Sequence, residues 1–238
     1  MDPKPVLYLI PVNLSDAPLE RVLPSFNTEV VLALRHFIVE NVRTARRFLR
    51  KCSREVVIDN LTFAELNVNT DPALAAGMLA PMERGESMGL MSEAGCPGVA
   101  DPGALVVAEA QRRGYRVAPL TGPSSILLSL MASGFNGQGF SFHGYLPIDA
   151  GERLRRIKAL ESDSRRTGMT QIFIETPYRN DKLLETLAGT LNPDTLVCVA
   201  SAITDPERES IRTLPARKWR NPGVSYHKIP TIFLISAK

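Results

Sequence analysis

The sequence predicts an α/β fold in two domains, on two observations. Short apolar, β-rich runs alternate with stretches of helical period over the first 120 residues, the pattern of parallel strands joined by helices. The alternation then restarts after Leu120–Gly122, which predicts an N-terminal domain at 1–120 and a C-terminal domain at 121–238. A third feature concerns chemistry. Two loops of small residues, Met91–Gly103 and Thr121–Ser125, each follow a strand and feed a helix. Such loops let a ligand approach bare backbone, and a helix N-terminus beyond them suits polar or anionic groups.

The elements follow in order. Val6–Ile10 is an apolar run stopped by Pro11 and reads as the first strand, and Val30–Leu34 as a second. Val42–Cys52 sets Val42, Ala45, Leu49 and Cys52 on one side and arginines elsewhere, which predicts a helix. Val56–Ile58 reads as a strand, with an ill-defined link over Asn60–Asn69. Asp71-Pro72 has the form of an N-cap with proline at the first helical position, opening a helix towards Arg84. Met88–Met91 is the next strand and Gly103–Arg113 the next helix, with Asp101 and Pro102 as cap and opening residues and Gly114 as the stop. Arg116–Pro119 returns as a strand. Beyond Pro123 the same reading gives helices at Ile126–Ala132, Gly151–Leu160 and Lys182–Leu191. Strands are expected at Phe140–Tyr145, Gln171–Glu175, Leu196–Ala200 and Ile232–Ile235.

Composition excludes several classes. At 238 residues and 44% hydrophobic, the chain can bury a proper core. No apolar stretch approaches the roughly 20 residues that span a bilayer, and Met1-Asp2-Pro3-Lys4-Pro5 lacks signal-peptide character. A soluble, cytoplasmic protein without a membrane partner is expected. Cys52, Cys96 and Cys198 are too scattered for a disulfide framework, and His36, His143 and His227 show no metal-ligand spacing, so no metal is expected. The net charge of +3 is too small to imply nucleic-acid binding. Its distribution says more: Arg43, Arg46, Arg47, Arg50, Lys51 and Arg54 crowd one helical segment and Arg153, Arg155, Arg156 and Lys158 another. Either group could neutralise phosphates or simply form a solvated face.

The loop Ser92-Glu93-Ala94-Gly95-Cys96-Pro97-Gly98-Val99-Ala100-Asp101-Pro102-Gly103, followed by Thr121-Gly122-Pro123-Ser124-Ser125, resembles the tetrapyrrole methylase superfamily. Within it the likeness is nearest to the ribosomal RNA small-subunit methyltransferase I branch, which methylates a cytidine ribose 2′-oxygen. It continues through Ala132-Ser133-Gly134, Phe142-His143-Gly144-Tyr145-Leu146-Pro147 and Glu175-Thr176-Pro177-Tyr178-Arg179. The resemblance implies two α/β domains of tetrapyrrole-methylase type with S-adenosylmethionine in the cleft between them, in a homodimer acting on RNA. It further implies that Ser92, Glu93, Ala94, Gly95, Pro97, Asp101, Gly103, Thr121, Gly122, Ser124 and Ser125 line the cofactor site.

For a ribose hydroxyl a positioned base is needed, and Glu93, Glu40 and Glu175 are the candidate carboxylates. Arg43, Arg46, Arg47, Tyr178 and Arg179 are the candidate substrate contacts. Each has a plainer reading. Asp101 can be a helix cap, Cys96 a small packing residue, and His143 a strand residue with satisfied nitrogens. Glu175 and Arg179 can form an ion pair that fixes their turn. The chain departs from the family pattern at Pro11-Val12-Asn13-Leu14-Ser15-Asp16, which has no glycine, and at Glu40-Asn41-Val42-Arg43, where an amide replaces the second carboxylate. It departs again at Ala200-Ser201-Ala202, which lacks both expected charges, and at Pro230-Thr231. Three functions are therefore open: an RNA ribose methyltransferase, a methyltransferase of the same fold acting on a small molecule, and a cofactor-binding protein with little turnover.

Overall fold

A computed structural model describes residues 4–238; the reading of Met1–Pro3 as part of a segment without signal character lies outside them. The chain divides into two compact units, the first ending at Ser124 and the second covering Ser125–Lys238.

In the first unit β1 (Val6–Ile10), β2 (His36–Val39), β3 (Thr62–Glu65), β4 (Met88–Met91) and β5 (Arg116–Pro119) form one sheet in the order β3-β2-β4-β1-β5. Every neighbouring pair is parallel. Parallel strands need crossovers, and those here cover both faces, so the central strand Met88–Met91 is buried throughout. The helices are α1 (Ser25–Ala33), α2 (Val42–Cys52), α3 (Ala80–Glu83) and α4 (Ala104–Arg112). On one face Val30 and Val31 of α1 and Ala45, Phe48 and Leu49 of α2 meet Ile10, Phe37, Val39 and Met91. On the other, Val106 and Ala110 of α4 and Ala75 and Leu79 of a 3-10 helix at Pro72–Leu79 meet Leu7, Ile38, Met88 and Leu90. Each fully buried aliphatic side chain contributes about 1.5–3 kcal/mol.

The second unit contains α5 (Ser125–Ser133), β6 (Phe140–Tyr145), α6 (Ala150–Thr167), β7 (Thr170–Ile174), α7 (Asn180–Thr190), β8 (Leu196–Ser201), β9 (Ser210–Pro215) and β10 (Thr231–Ser236). Its sheet runs β6-β7-β10-β8-β9. Only β6 and β7 pair in parallel; the other pairs are antiparallel. Asp149 caps α6 by accepting from Glu152 N at 2.8 Å. The core holds Phe173 and Phe233 with ring centroids 6.2 Å apart, and the buried Trp219, whose Nε1 donates to Val197 O.

Several sequence expectations need correction. Val30–Leu34 is not a strand: Asn27, Val30 and Val31 are the buried face of α1, and a short β-branched run does not distinguish the two periods. The strand of that region is β2, four residues long. Val56–Ile58 is not a strand either. A 3-10 turn at Ile58–Asn60 leads into β3, an edge strand of mixed pattern within the link that the sequence leaves ill-defined. Asp71 does cap and Pro72 does open a helix, but that helix is of 3-10 type as far as Leu79. A single α-helical turn follows, with Pro81 in it unable to donate a backbone N–H. Asp101 does not cap α4, whose N-cap is Gly103. β9, an edge strand carrying Arg212, was not expected at all.

Candidate active site

Because all five strands of the first sheet are parallel, their carboxyl ends share one edge, where ligands of open α/β sheets gather. Register sharpens this: Ile10, Val39 and Met91 lie level across β1, β2 and β4, and Leu120 N donates to Leu9 O beside them. The residues that follow, Pro11, Glu40, Ser92 and Thr121, therefore emerge together.

The loop after β4 is folded back over the end of β1. Val12 and Gly95 exchange two backbone hydrogen bonds of 2.9 Å each, and the buried Ser92 Oγ donates to Ala94 O at 3.2 Å. Cys96 Sγ donates to Pro123 O at 3.5 Å, joining this loop to the one after β5, and Pro97 is buried beneath them. Asn27 of α1, also buried, donates from Nδ2 to Thr121 O at 2.9 Å. Gly122 has to be glycine, since a Cβ there would stand 2.3 Å from the Pro11 Cβ. At Gly103 a Cβ would stand 2.5 Å from Asp101 Oδ1, so any side chain there would displace the Asp101 carboxylate.

Asp101 closes the far end of the loop. Its Oδ1 accepts from Gly98 N at 3.0 Å and from Gly103 N at 2.7 Å, while its Oδ2 is buried without a donor in the hydrogen-bond network. Glu40 lies within hydrogen-bonding reach of Asp101, so a proton on Glu40 supplies one. Glu40 Oε1 also accepts from Glu93 N at 2.9 Å, and Glu93 Oε1 accepts from Thr44 Oγ1 at 2.5 Å. Burial, then the Asp101 hydrogen bond and the negative charges of Asp101 and Glu93, push the Glu40 carboxyl up to about 7, against the Glu93 N–H, which lowers it. Three carboxyl groups in one cluster, one of them poised near neutrality, can hold a cationic ligand and accept a proton.

Helix α2 begins at this cluster. Asn41 Oδ1 caps it by accepting from Arg43 N and Thr44 N, as an aspartate there would, so the amide departure keeps the cap. Arg43, Arg46, Arg47 and Arg50 are exposed along it over about 10 Å. Among the described residues none of the four is in an ion pair, although Arg46 lies over the Phe63 ring at 5.4 Å.

The first unit thus brings together Glu40, Ser92, Glu93, Ala94, Gly95, Pro97, Asp101, Gly103, Thr121 and Gly122, with Arg43, Arg46 and Arg47 on the adjoining helix. Ser124 ends this unit. Ser125, Glu175, Tyr178 and Arg179 belong to the second unit. There Glu175 is buried, and its Oε1 accepts from Thr176 N and from Arg179 Nε and Nη2. His143 takes its plain reading. Nδ1 accepts from Arg156 Nη2 at 2.9 Å, which leaves Nε2–H to donate to Gln171 Oε1 at 2.7 Å. Cys96 takes its packing reading as well: its Sγ donates to Pro123 O, and burial raises its thiol above the ordinary range.

The other departures also make local hydrogen bonds. The Asn13 side chain donates to Ser15 O, Ser201 Oγ donates to Ser210 O, and Ala202, at φ +48°, donates to Pro230 O. Thr44, Val12 and Asn27 were missed from sequence. Thr44 stands three residues after a capping Asn and could have been found by that spacing. Asn27 could not, because the turn it braces lies 94 residues away. Among the described residues no cluster of potential metal ligands occurs, and no helix is long and apolar enough to cross a membrane.

No protein-family model matches the chain. Individual proteins do. It is 33% identical over 204 residues to ribosomal RNA small subunit methyltransferase I of Mesorhizobium japonicum, covering 84% of this chain and 64% of the relative. It is 31% identical over 214 residues to the protein of the same name from Vibrio cholerae, covering 89% and 69%. The chain thus spans about two thirds of the length of these curated relatives. Among solved structures, the methyltransferase CobJ matches with a TM-score of 0.64 at 17% identity, over 99% of this chain and 95% of that one. Diphthine synthase matches with 0.68 at 15%, over 98% and 90%. These distant structures establish the tetrapyrrole-methylase fold over nearly the whole chain, and the sequence relatives establish which branch of it this is. The chain belongs to the ribosomal RNA small subunit methyltransferase I family.

Proposed function

We propose that this protein is an S-adenosylmethionine-dependent methyltransferase that methylates a ribose 2′-oxygen in small-subunit ribosomal RNA. The observation that carries the reading is the junction of the carboxyl cluster with α2: a group poised to take a proton near pH 7 stands at the start of a helix faced with unpaired arginines. Acidic groups suit a cationic methyl donor, and arginines suit a phosphate backbone. A neutral small substrate would need no such helix.

The cofactor fits the residues present. The exposed Glu93 and Ala94 and the tight turns at Gly95 and Gly122 offer polar partners, and Ser92, Pro97, Asp101, Gly103 and Thr121 set the walls. Ser124 and Ser125, at the start of α5, are assigned to the same ligand by the resemblance. When bound, the cofactor supplies a methyl group already activated by its sulfonium.

The chain has to exclude water, orient the hydroxyl and remove its proton. Glu40 and Glu93 are assigned the proton transfer. Thr44 holds Glu93, and the Glu93 N–H holds Glu40, so the two carboxylates are oriented as a unit. Glu175, engaged by Arg179, is assigned to holding its turn. Arg43, Arg46 and Arg47 contact phosphates, and Tyr178 and Arg179 contact the substrate from the second unit. A cytoplasmic homodimer is part of the same reading.

Incubation with methyl-labelled S-adenosylmethionine and fractionated extract tests it. Label is expected in small-subunit ribosomal RNA, in a nucleoside whose 2′-O-methyl survives digestion. Label confined to a low-mass fraction, or cofactor binding without any transfer, overturns it.

A further inference from the structure

The second unit carries a basic recess that the reading above leaves largely unexplained. It opens beyond the carboxyl ends of β6 and β7, the one parallel pair of that sheet, where loops lead into α6 and α7. Ile148, Arg153, Glu175, Arg179, Lys182 and Leu183 line about 230 Å3. Three of the six are cations. The one carboxylate is already spent, because the side chain of Glu175 is 2% exposed and its Oε1 takes two N–H groups of Arg179. That contact fixes the Arg179 guanidinium and leaves three of its five donors for a ligand.

Arg153 points to a ligand independently. Its Nη1 donates to Pro147 O and Ile148 O, which anchors the side chain in the recess, but its Nε is buried and has no acceptor. A buried cationic N–H without a partner calls for an acceptor from outside the chain. Lys182 is the mobile member, since its contact to Glu185 Oε2 is between two exposed side chains and is easily exchanged.

The surface next to the recess carries an aromatic platform. Tyr178 is 69% exposed, with the His227 ring edge-on at 5.8 Å and Lys228 Nζ 5.8 Å from its centroid. The platform is held in place from beneath. Lys228, at φ +62°, donates its backbone N–H to Pro177 O, and the fully buried Asn180 Nδ2 donates to Tyr226 O and Ile229 O. A preorganised aromatic ring beside a cationic recess is the chemistry of a single-stranded nucleotide: stacking for a base, cations for its phosphate.

We propose that this recess holds a backbone phosphate of the RNA substrate, through the guanidinium of Arg153, the outer donors of Arg179 and Lys182 Nζ, while Tyr178 stacks on a neighbouring base. The inference rests on the RNA reading and adds Arg153 and Lys182 to it.

Fluorescence anisotropy of the full chain with a labelled fragment of small-subunit ribosomal RNA, over a salt series, tests it. The Arg153→Gln/Lys182→Gln variant is expected to bind about tenfold more weakly, with a salt slope shallower by about 0.7, the value for one single-strand phosphate contact. Tyr178→Ala is expected to lose about 5- to 100-fold at unchanged slope, and Tyr178→Phe to bind as wild type. Should Arg153→Gln not fold, the exposed Lys182→Gln carries the same slope test alone. Unchanged affinity and slope in a folded variant, with the wild type still labelling RNA, overturns the recess and leaves the proposed activity standing. A wild type that binds no RNA overturns both. Thermal protection of the wild type by inorganic phosphate, with no loss of RNA affinity in the variants, would assign the recess to a small free anion and overturn the proposal.

Discussion

The two units are both α/β, yet they present chemistry differently, and sheet polarity is the reason. In the first, five parallel strands send every crossover loop to the same edge, so Glu40, Glu93, Asp101 and the turn at Gly122 meet although they are far apart in sequence. In the second, β9 and β10 run opposite to β6, β7 and β8, so its loops are divided between the two ends of the sheet. β6, β7 and β8 share one carboxyl edge, and beyond the ends of β6 and β7 a small recess forms there. A parallel sheet sends all its crossover loops to one edge; a mixed one divides them between two.

The sharpest test of that contrast is catalytic. Glu40→Gln and Glu93→Gln should each slow single-turnover methyl transfer by about 10²–10⁴-fold at saturating cofactor, the usual worth of a positioned acid–base group. Glu175→Gln, at the carboxyl edge of the other sheet, should leave the saturating rate at the wild-type level. A larger loss at Glu175 than at Glu40 and Glu93 would invert the assignment of the two edges.

Binding to RNA should divide unequally as well. Replacing Arg43, Arg46 and Arg47 by Gln should make the salt dependence of affinity shallower by about 2, from three contacts at about 0.7 each. The recess of the second unit is worth about one such contact, so equal slopes for the two sets of variants would erase the difference.

Two glycines extend the comparison to stability. Gly122→Ala, with its Cβ forced against Pro11, should cost about 1–3 kcal/mol in denaturant unfolding and weaken stabilisation by cofactor. Gly189→Ala, in the last turn of α7 with nothing within 4 Å of the new Cβ, should instead stabilise by about 0.5–1 kcal/mol.

The contrast also has a pH dependence. Glu40 titrates near 4.5 in the unfolded chain and near 7 when folded, so between those values the native state holds the extra proton. Its contribution to stability is complete below about pH 4.5, falls as pH rises towards 7, and is absent above. The rate should move the other way, rising through pH 7 as Glu40 loses its proton. Thermal melts and single-turnover rates across pH 5–8 should therefore slope in opposite directions for the wild type, and both should flatten in Glu40→Gln.

What could be read from sequence follows the same division. β1, β4, β5, β6 and α2 came out at their ends because each is a run of one period bounded by Pro, Gly or a capping residue. β2, β3 and β9 did not, because their residues carry no period of their own. The ligand loops were legible because Gly, Pro and Ser at close spacing have few other uses. Their bracing was not, since Asn27 to Thr121 and Thr44 to Glu93 are contacts between distant segments.

By itself, then, the chain of amino acids determined the class of fold, the two glycine-rich turns and the arginine face of α2. These are local properties: periodicity, backbone freedom and charge within one helix. The tertiary structure alone decided that Glu40, Glu93 and Asp101 share a site and that burial among like charges moves Glu40 to neutrality. Proximity and desolvation depend on which strands lie side by side, and strand order is a property of the packed sheet, with no signature in any single segment.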